Sequence, residues 1–179
     1  VYKRQDWGPK EGKWANIAPN TPLYKDGKIF FCHGYNINGV MLQLSDDLKS
    51  VSVVWRTDVL DTHHGGYVEV NGTIYGSNWI NNNQGNWCAI DWNTGAKGYE
   101  TTWTGGKGKG SIIAADGMLY CYDERRGAVA LVNPDPAKFD IVSEFRITKG
   151  VGPHWAHPVI VNGVLYIRHG FALMAYKVK

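Results

Sequence analysis

The sequence lacks the features that define several large classes of protein. No apolar run approaches the roughly 18–20 residues that a membrane-spanning helix needs, and no segment repeats apolar residues at the helical period. The three cysteines, Cys32, Cys88 and Cys121, are odd in number and form no C-x-x-C pair, so they do not indicate a disulfide framework. Each lies in a predicted strand, where we interpret it as a small buried hydrophobe.

Charge and targeting signals are also sparse. A net charge of +3 is too small to indicate nucleic-acid binding by itself, and no signal-peptide pattern is present. Aromatic residues, in contrast, are abundant, with eight Trp, ten Tyr and five Phe among 179 residues. This composition is typical of a globular β protein.

A turn of the form polar-Gly-hydrophobic recurs four times along the chain. The turns are Asp26-Gly27, Asn71-Gly72, Asp116-Gly117 and Asn162-Gly163, and their glycines are spaced by 45, 45 and 46 residues. Asp-Gly and Asn-Gly favour type I′ hairpin turns, because both residues tolerate positive φ. A repeat of about 40–50 residues made of short strands is typical of a β-propeller blade.

Aligning the four glycines predicts the same order of strands, A to D, in every unit. Strand A precedes the turn (21–25, 66–70, 111–115 and 157–161), and strand B follows it (28–32, 73–77, 118–122 and 164–168). Strand C has a small or apolar residue near its middle, at Leu42, Ala89, Ala130 and Ala175. Strand D ends in an aromatic residue, at Trp55, Tyr99 and Phe145.

We therefore predict an all-β fold, a β-propeller of four-stranded antiparallel blades with strand A innermost. The chain forms one partial propeller domain of about three full blades and a three-stranded partial blade, with units at 19–62, 63–107, 108–153 and 154–179. We expect it to be the C-terminal part of a longer propeller, because an open ring exposes sheet edges. The remaining N-terminal blades, and an N-terminal strand D, would then close the ring. The alternative is a four-bladed ring closed by a strand from residues 1–18.

Residues 87–99 carry a more specific pattern. They resemble the A-x-D-x-x-T-G-x-x-x-W tryptophan-docking motif of the pyrroloquinoline-quinone-type (PQQ-like) propeller repeat, with matches at Ala89, Asp91, Thr94 and Gly95, and Tyr99 at the Trp position. The other units match less closely. The resemblance implies a propeller of about eight blades, often exported to the periplasm or the cell exterior. The family includes quinoprotein dehydrogenases and non-enzymatic assembly factors.

The loops at one end of the predicted blades gather all six histidines. In a propeller the B–C and D–A connections share one face, and the A–B turns lie on the other. The ends of strands B hold His33, Asn78, Asp123 and His169. The D–A connections hold His63, His64, Lys109, His154 and Trp155, and His157 opens the last strand A. We predict a ligand site near the axis on this face.

These residues also have other interpretations. Those at the ends of strands B suit a structural role, since Asn, Asp and His often cap the backbone of a neighbouring loop. A transition-metal site is weakly indicated, because His154-x-x-His157 on a loop does not fix a geometry. The stretch 105–111 suggests a phosphate loop, but a strand follows it instead of a helix. Its backbone N–H groups, with Lys107 and Lys109, suit an anion at the mouth.

Two functions compete on this basis. The first is an exported, non-enzymatic binding or assembly platform for a protein, glycan or small-molecule ligand, which needs no cofactor. The second, implied by the resemblance, is a quinoprotein-type alcohol or sugar dehydrogenase. There PQQ would stack on Trp155 or Trp79, Asp123, Glu124 and Asn78 are candidates to bind Ca²⁺, and an Asp or His would remove the alcohol proton. The adjacent Cys-Cys pair of some alcohol-oxidising members is absent from this sequence. Neither function involves nucleic acid or a transmembrane segment.

Overall fold

The computed structural model describes residues 18–178, which form fifteen β-strands and no helix. The first sheet contains β1 (Leu23–Lys25), β2 (Lys28–Cys32), β3 (Gly39–Leu44) and β4 (Val51–Thr57). The second contains β5 (Tyr67–Val70), β6 (Thr73–Ser77), β7 (Trp87–Asp91) and β8 (Lys97–Thr101). The third contains β9 (Gly110–Ala115), β10 (Met118–Asp123), β11 (Ala128–Asn133) and β12 (Asp140–Arg146). The last contains β13 (Val159–Val161), β14 (Val164–His169) and β15 (Ala172–Lys177).

Each sheet is an antiparallel meander whose strands pair in chain order. Three sheets have four strands and the last has three. The predicted fold, a partial β-propeller of three full blades and a three-stranded one, is therefore confirmed. The alternative, a four-bladed ring closed by a strand from residues 1–18, concerns a segment that lies almost entirely outside the described residues.

The four hairpin turns have the conformation that their sequences predict. In every turn both central residues have positive φ, from 50° to 52° at the Asp or Asn and from 73° to 84° at the Gly. This is the type I′ geometry, which matches the twist of the flanking strands. The local chemistry of the dipeptide therefore sets the register of each A–B hairpin.

Apolar side chains from facing surfaces of neighbouring sheets form the core. One cluster joins the first two sheets around Phe30 and Ile74, a second joins the next two around Tyr75 and Leu119, and a third joins the last two around Tyr120 and Leu165. The residue three places after the turn glycine is thus buried in the first three sheets. The equivalent Tyr166 in the last sheet is 37% exposed, because no described sheet packs against that surface.

The tryptophan-docking motif of the second sheet organises its C–D turn. The carboxylate of Asp91 accepts hydrogen bonds from the backbone of Asn93 and from the backbone and hydroxyl of Thr94, at 2.8–2.9 Å. Gly95 has a φ of 70°. A Cβ at Gly95 would lie 2.7 Å from the ring of Trp55 in the first sheet. Trp55 therefore docks against the glycine of the motif, and the contact links neighbouring blades.

The three cysteines are buried in strands, as the sequence predicts. Cys32, Cys88 and Cys121 are free thiols, and burial raises the pKa of Cys32 to about 12. Their thiols are therefore protonated near neutral pH. Among residues 18–178 no helix is long and apolar enough to cross a membrane.

Candidate functional site

The connections between strands divide into two faces, as the meander requires. Connections 33–38, 58–66, 78–86, 102–109, 124–127, 147–158 and 170–171 form what we call the loop face. Connections 26–27, 45–50, 71–72, 92–96, 116–117, 134–139 and 162–163 form the turn face. All six histidines lie in or beside the loop face. The predicted site residues are therefore at the same end of the four sheets.

A cluster of aromatic and charged residues, here called the mouth cluster, occupies the centre of the loop face. The Nε2 of His63 lies 2.6 Å from the hydroxyl of Tyr35. The centroid of the Tyr35 ring lies 5.1 Å from that of the Trp79 ring. The His64 ring packs against two other rings, and its centroid lies 4.8 Å from that of His63 and 5.5 Å from that of Trp155. These residues come from connections of all four sheets, so only the assembled sheets form the cluster. Its members are Tyr35, His63, His64, Trp79, Lys109, Glu124 and Trp155.

A buried ion pair forms the floor of the mouth cluster. The Nζ of Lys109 lies 2.5 Å from Oε1 of Glu124 and donates to the carbonyls of Asn81 and Asn82. The other carboxylate oxygen of Glu124 lies 2.9 Å from Nε2 of His64. Lys109 is only 2% exposed, and a buried cation requires this complete set of partners. The ion pair and its partners therefore hold four connections of the loop face together.

Burial and neighbouring groups lower the pKa values of two side chains of this cluster, His63 and Glu124. The pKa of His63 falls to about 4, chiefly because burial disfavours its charged form and also because His64 and Lys109 lie nearby. Burial opposes ionisation of Glu124, but its hydrogen bonds to His64 and Lys109 outweigh that effect and lower its pKa. At neutral pH the cluster thus contains a neutral His63 beside a paired Glu124 carboxylate.

A second group, the histidine stack, lies between the last two sheets. The rings of His154 and His169 stack at 3.7 Å, and Nδ1 of His154 lies 2.5 Å from the Tyr122 hydroxyl. The two ring nitrogens of His169 face the carbonyls of Lys149 and Gly152, each at 2.7 Å. Burial, followed by the charge of His169, lowers the pKa of His154 to about 4. The stack fixes the connection 147–158 against β10 and β14.

The residues at the ends of strands B mostly bind nearby backbone. The Asn78 side chain bonds Val59, Asn86 and the carboxylate of Glu100. Asp123 accepts hydrogen bonds from the N–H groups of Arg125 and Arg126, and burial raises its pKa to about 6. The contacts of Asn78 and Asp123 are those of the structural role that we gave as an alternative.

The remaining two histidines lie apart from these groups or at their margin. His33 packs beside Phe31 at 5.9 Å. Exposed His157 has Nε2 2.9 Å from the carbonyl oxygen of His64. It also lines a cavity of about 300 Å³ together with His64, Asn20, Tyr67 and Ile112. Of the ten predicted site residues, the structure brings His63, His64, Lys109 and Trp155 into the mouth cluster, pairs His154 with His169 and places His157 at the edge.

The candidate calcium ligands do not form a suitable set. The two oxygens of Glu124 contact His64 and Lys109, one oxygen of Asp123 caps a turn, and the Asn78 amide is fully engaged. Calcium requires six to eight converging oxygen ligands. Within residues 18–178, no group of three or more His, Cys, Asp or Glu residues is arranged to hold a metal. The described residues thus fit neither Ca²⁺ beside a quinone nor the transition-metal alternative.

Two tyrosines of these groups were missed by the sequence analysis. Tyr35 follows His33 by two residues, in the connection between β2 and β3. Tyr122 occupies a buried position in β10. Its hydroxyl nevertheless reaches His154. Extending the alignment of the units by two residues into the B–C connection would have included Tyr35.

Comparisons with known proteins identify the architecture. The structure of BamB from Moraxella catarrhalis matches 92% of this chain and 48% of its own, with 13% identity and a TM-score of 0.66. A quinohemoprotein alcohol dehydrogenase from Pseudomonas putida HK5 matches 83% and 28%, with 16% identity and a TM-score of 0.55. A europium-containing methanol dehydrogenase matches 73% and 25%, with 14% identity and a TM-score of 0.54. No protein-family model and no curated protein matches the sequence.

These likenesses concern the fold alone, because the sequence identities are low. All three proteins are PQQ-like β-propellers, so the resemblance in residues 87–99 is confirmed at the level of architecture. The chain spans 48% or less of the length of each. The same fold is found in proteins of different function, and function must be argued from the site.

Proposed function

We propose that this part of a PQQ-like β-propeller acts as a non-enzymatic binding platform, and that the mouth cluster is its ligand site. One observation carries the proposal. Connections of all four sheets converge on a floor whose charges are already paired, below the exposed ring of Trp155. Such a site is organised before any ligand arrives, which reduces the entropic cost of binding.

The composition of the mouth cluster supports binding rather than catalysis. Trp155 is 58% exposed, and exposed aromatic rings at the centre of a polar surface are common binding anchors. His63 is neutral and engaged with Tyr35. Glu124 is paired with Lys109 and His64. No described carboxylate of the cluster is thus left free to act as a base.

The quinoprotein-type oxidoreductase has less support. Its candidate calcium ligands are engaged elsewhere, as described above, so the described residues offer no place for Ca²⁺ beside a quinone. We further propose that the protein is exported to the periplasm or the cell exterior, as the resemblance implies.

The proposal can be tested by probing the protein with a peptide array and a glycan array in parallel. The test variant is Trp155→Ala, and the matched control is Tyr24→Ala, an exposed aromatic outside the loop face. We expect signals on at least one array that fall at least about tenfold in Trp155→Ala. The control variant should keep them.

Two outcomes would contradict the proposal. One is the absence of any signal that depends on Trp155. The other is uptake of PQQ with Ca²⁺, followed by dye-linked oxidation of an alcohol, which would favour the dehydrogenase. Melting temperatures of both variants must match that of the unmodified protein, so that a loss of signal reports binding.

A further inference from the structure

The charges of the described residues are distributed unevenly between the two faces. Eight carboxylates lie at or beside the turn face: Asp26, Asp46, Asp47, Glu69, Asp91, Asp116, Asp135 and Asp140. All five described arginines lie at the opposite end of the strands: Arg56, Arg125, Arg126, Arg146 and Arg168. Asp26 and Asp116 belong to the repeated hairpin turns, but the positions of the arginines do not follow from that repeat, which constrains only the turns.

Three of the six carboxylates at the loop face are withdrawn from solvent. Asp61 and Asp123 are buried, and Glu124 is paired with Lys109 and His64. The exposed cations there are the five arginines together with Lys107 and Lys149, against the exposed carboxylates Asp58, Glu100 and Glu144. No arginine takes part in the ion pairs formed among residues 18–178. The exposed loop face is therefore positively charged.

Three of these cations lie in or beside the connection that packs against that of Trp155. The N–H of His154 donates to the carbonyl of Glu124, which places Trp155 beside the connection that carries Arg125 and Arg126. A Cβ at Gly108 would lie 3.4 Å from Cβ of Arg125, so Lys107 is next to Arg125. Exposed Val151, in the same connection as Trp155, adds apolar surface. We call Lys107, Arg125, Arg126, Val151 and Trp155 the basic rim.

We propose that the basic rim docks an acidic segment of a partner protein, whose apolar side chain packs against Trp155. This inference rests on the binding function proposed above and names its partner. Trp and Arg are the residues most enriched among binding hot spots. Charge complementarity of this kind accelerates association and excludes cationic partners. The free cations of the rim favour a carboxylate-rich chain over a neutral glycan.

The test uses a fluorescein-labelled peptide of about twelve residues that places glutamates around a central Leu-Phe pair. Binding is measured by fluorescence anisotropy with the full chain. We compare Arg125→Gln/Arg126→Gln with Lys49→Gln/Lys138→Gln, a pair on the turn face that changes the net charge equally. We expect the rim variant to weaken binding by about tenfold or more and the control by less than about twofold.

Three further probes sharpen the result. Replacing Glu by Gln in the peptide, or Trp155 by Ala in the protein, should each weaken binding, and added salt should weaken it as well. Equal loss in the control variant, or equal affinity for a single-stranded oligonucleotide or for anionic phospholipid vesicles, would overturn the inference. Should glycans bind through Trp155 while acidic peptides do not, the binding function stands and the acidic partner is wrong.

Discussion

The loop face and the turn face are built in different ways from the same strands. Every A–B hairpin of the turn face has the same kind of two-residue turn, Asp-Gly or Asn-Gly, in which both residues have positive φ. The loop face instead has connections of unequal length, a buried ion pair and stacked histidines. Its stability depends on contacts between sheets, whereas each hairpin turn forms from its own residues.

This difference explains where ligand binding is to be expected. A turn that repeats without change serves to join two strands of each sheet. Binding residues concentrate instead in irregular connections that a rigid scaffold positions. Charged groups are tolerated inside the loop face only because partners from other connections satisfy them. Substitutions on the two faces should therefore differ in cost, and the predictions below test this difference.

The largest difference in the stability cost of a substitution is expected between two glycines, Gly110 and Gly117. A Cβ at Gly110, beside the loop face, would lie 1.9 Å from the carbonyl oxygen of Tyr122, whereas a Cβ at Gly117, in a turn, meets nothing within 4 Å. Gly110→Ala should lower the free energy of unfolding by about 4 kcal/mol or more. Gly117→Ala should lower it by about 1–2 kcal/mol, through its positive φ alone. Denaturant unfolding measures both values, and equal costs would contradict the comparison.

Removing the lysine of an ion pair should also cost more on the loop face. Lys109→Met leaves Glu124 buried with one partner fewer, and we expect a loss of about 3 kcal/mol. Lys138→Met breaks the exposed pair with Asp140 on the turn face, which should change the free energy of unfolding far less, because solvent screens an exposed pair. A Lys109→Met protein as stable as the Lys138→Met protein would show that the buried pair is not essential to the loop face.

The smallest effect concerns pH. The pKa values of His63 and His154 fall from 6.5 to about 4 on folding. The unfolded chain therefore binds protons between these values and the folded chain does not. Their stabilising contribution is complete above about pH 6.5 and is lost as the pH falls toward about 4. Asp123 acts in the opposite sense, because its raised pKa lets the folded state bind a proton first.

Burial also raises the pKa of Asp61, which therefore acts in the same sense as Asp123. We expect the two histidines to outweigh these two carboxyls, so that the melting temperature falls from about pH 7 to about pH 5. The double variant His63→Gln/His154→Asn keeps a hydrogen-bonding group at each position but cannot titrate there, so its melting temperature should fall less. The same fall in both proteins would exclude these histidines as its source. Tyr24→Ala, a substitution of an exposed residue outside the loop face, provides the control.

Much of the architecture was accessible from the sequence, and the site only in part. The turn glycines predicted all four hairpins, and the alternation of strands placed all six histidines at one end. The alignment could not show that Asn78 turns toward Val59 and Glu100, or that Tyr122 reaches His154. Such contacts depend on where a side chain meets a different sheet, and no local pattern encodes that distance.

By itself the sequence determined the period of the blades and the type I′ turns, because each depends on a few adjacent residues with restricted backbone choices. Only the tertiary structure decided which charges are free. Lys109 is neutralised within the mouth cluster by Glu124 from another sheet, while Arg125 and Arg126 face solvent. The physical reason is that solvation and pairing of a charge depend on all groups around it, and these come from connections far apart in the chain.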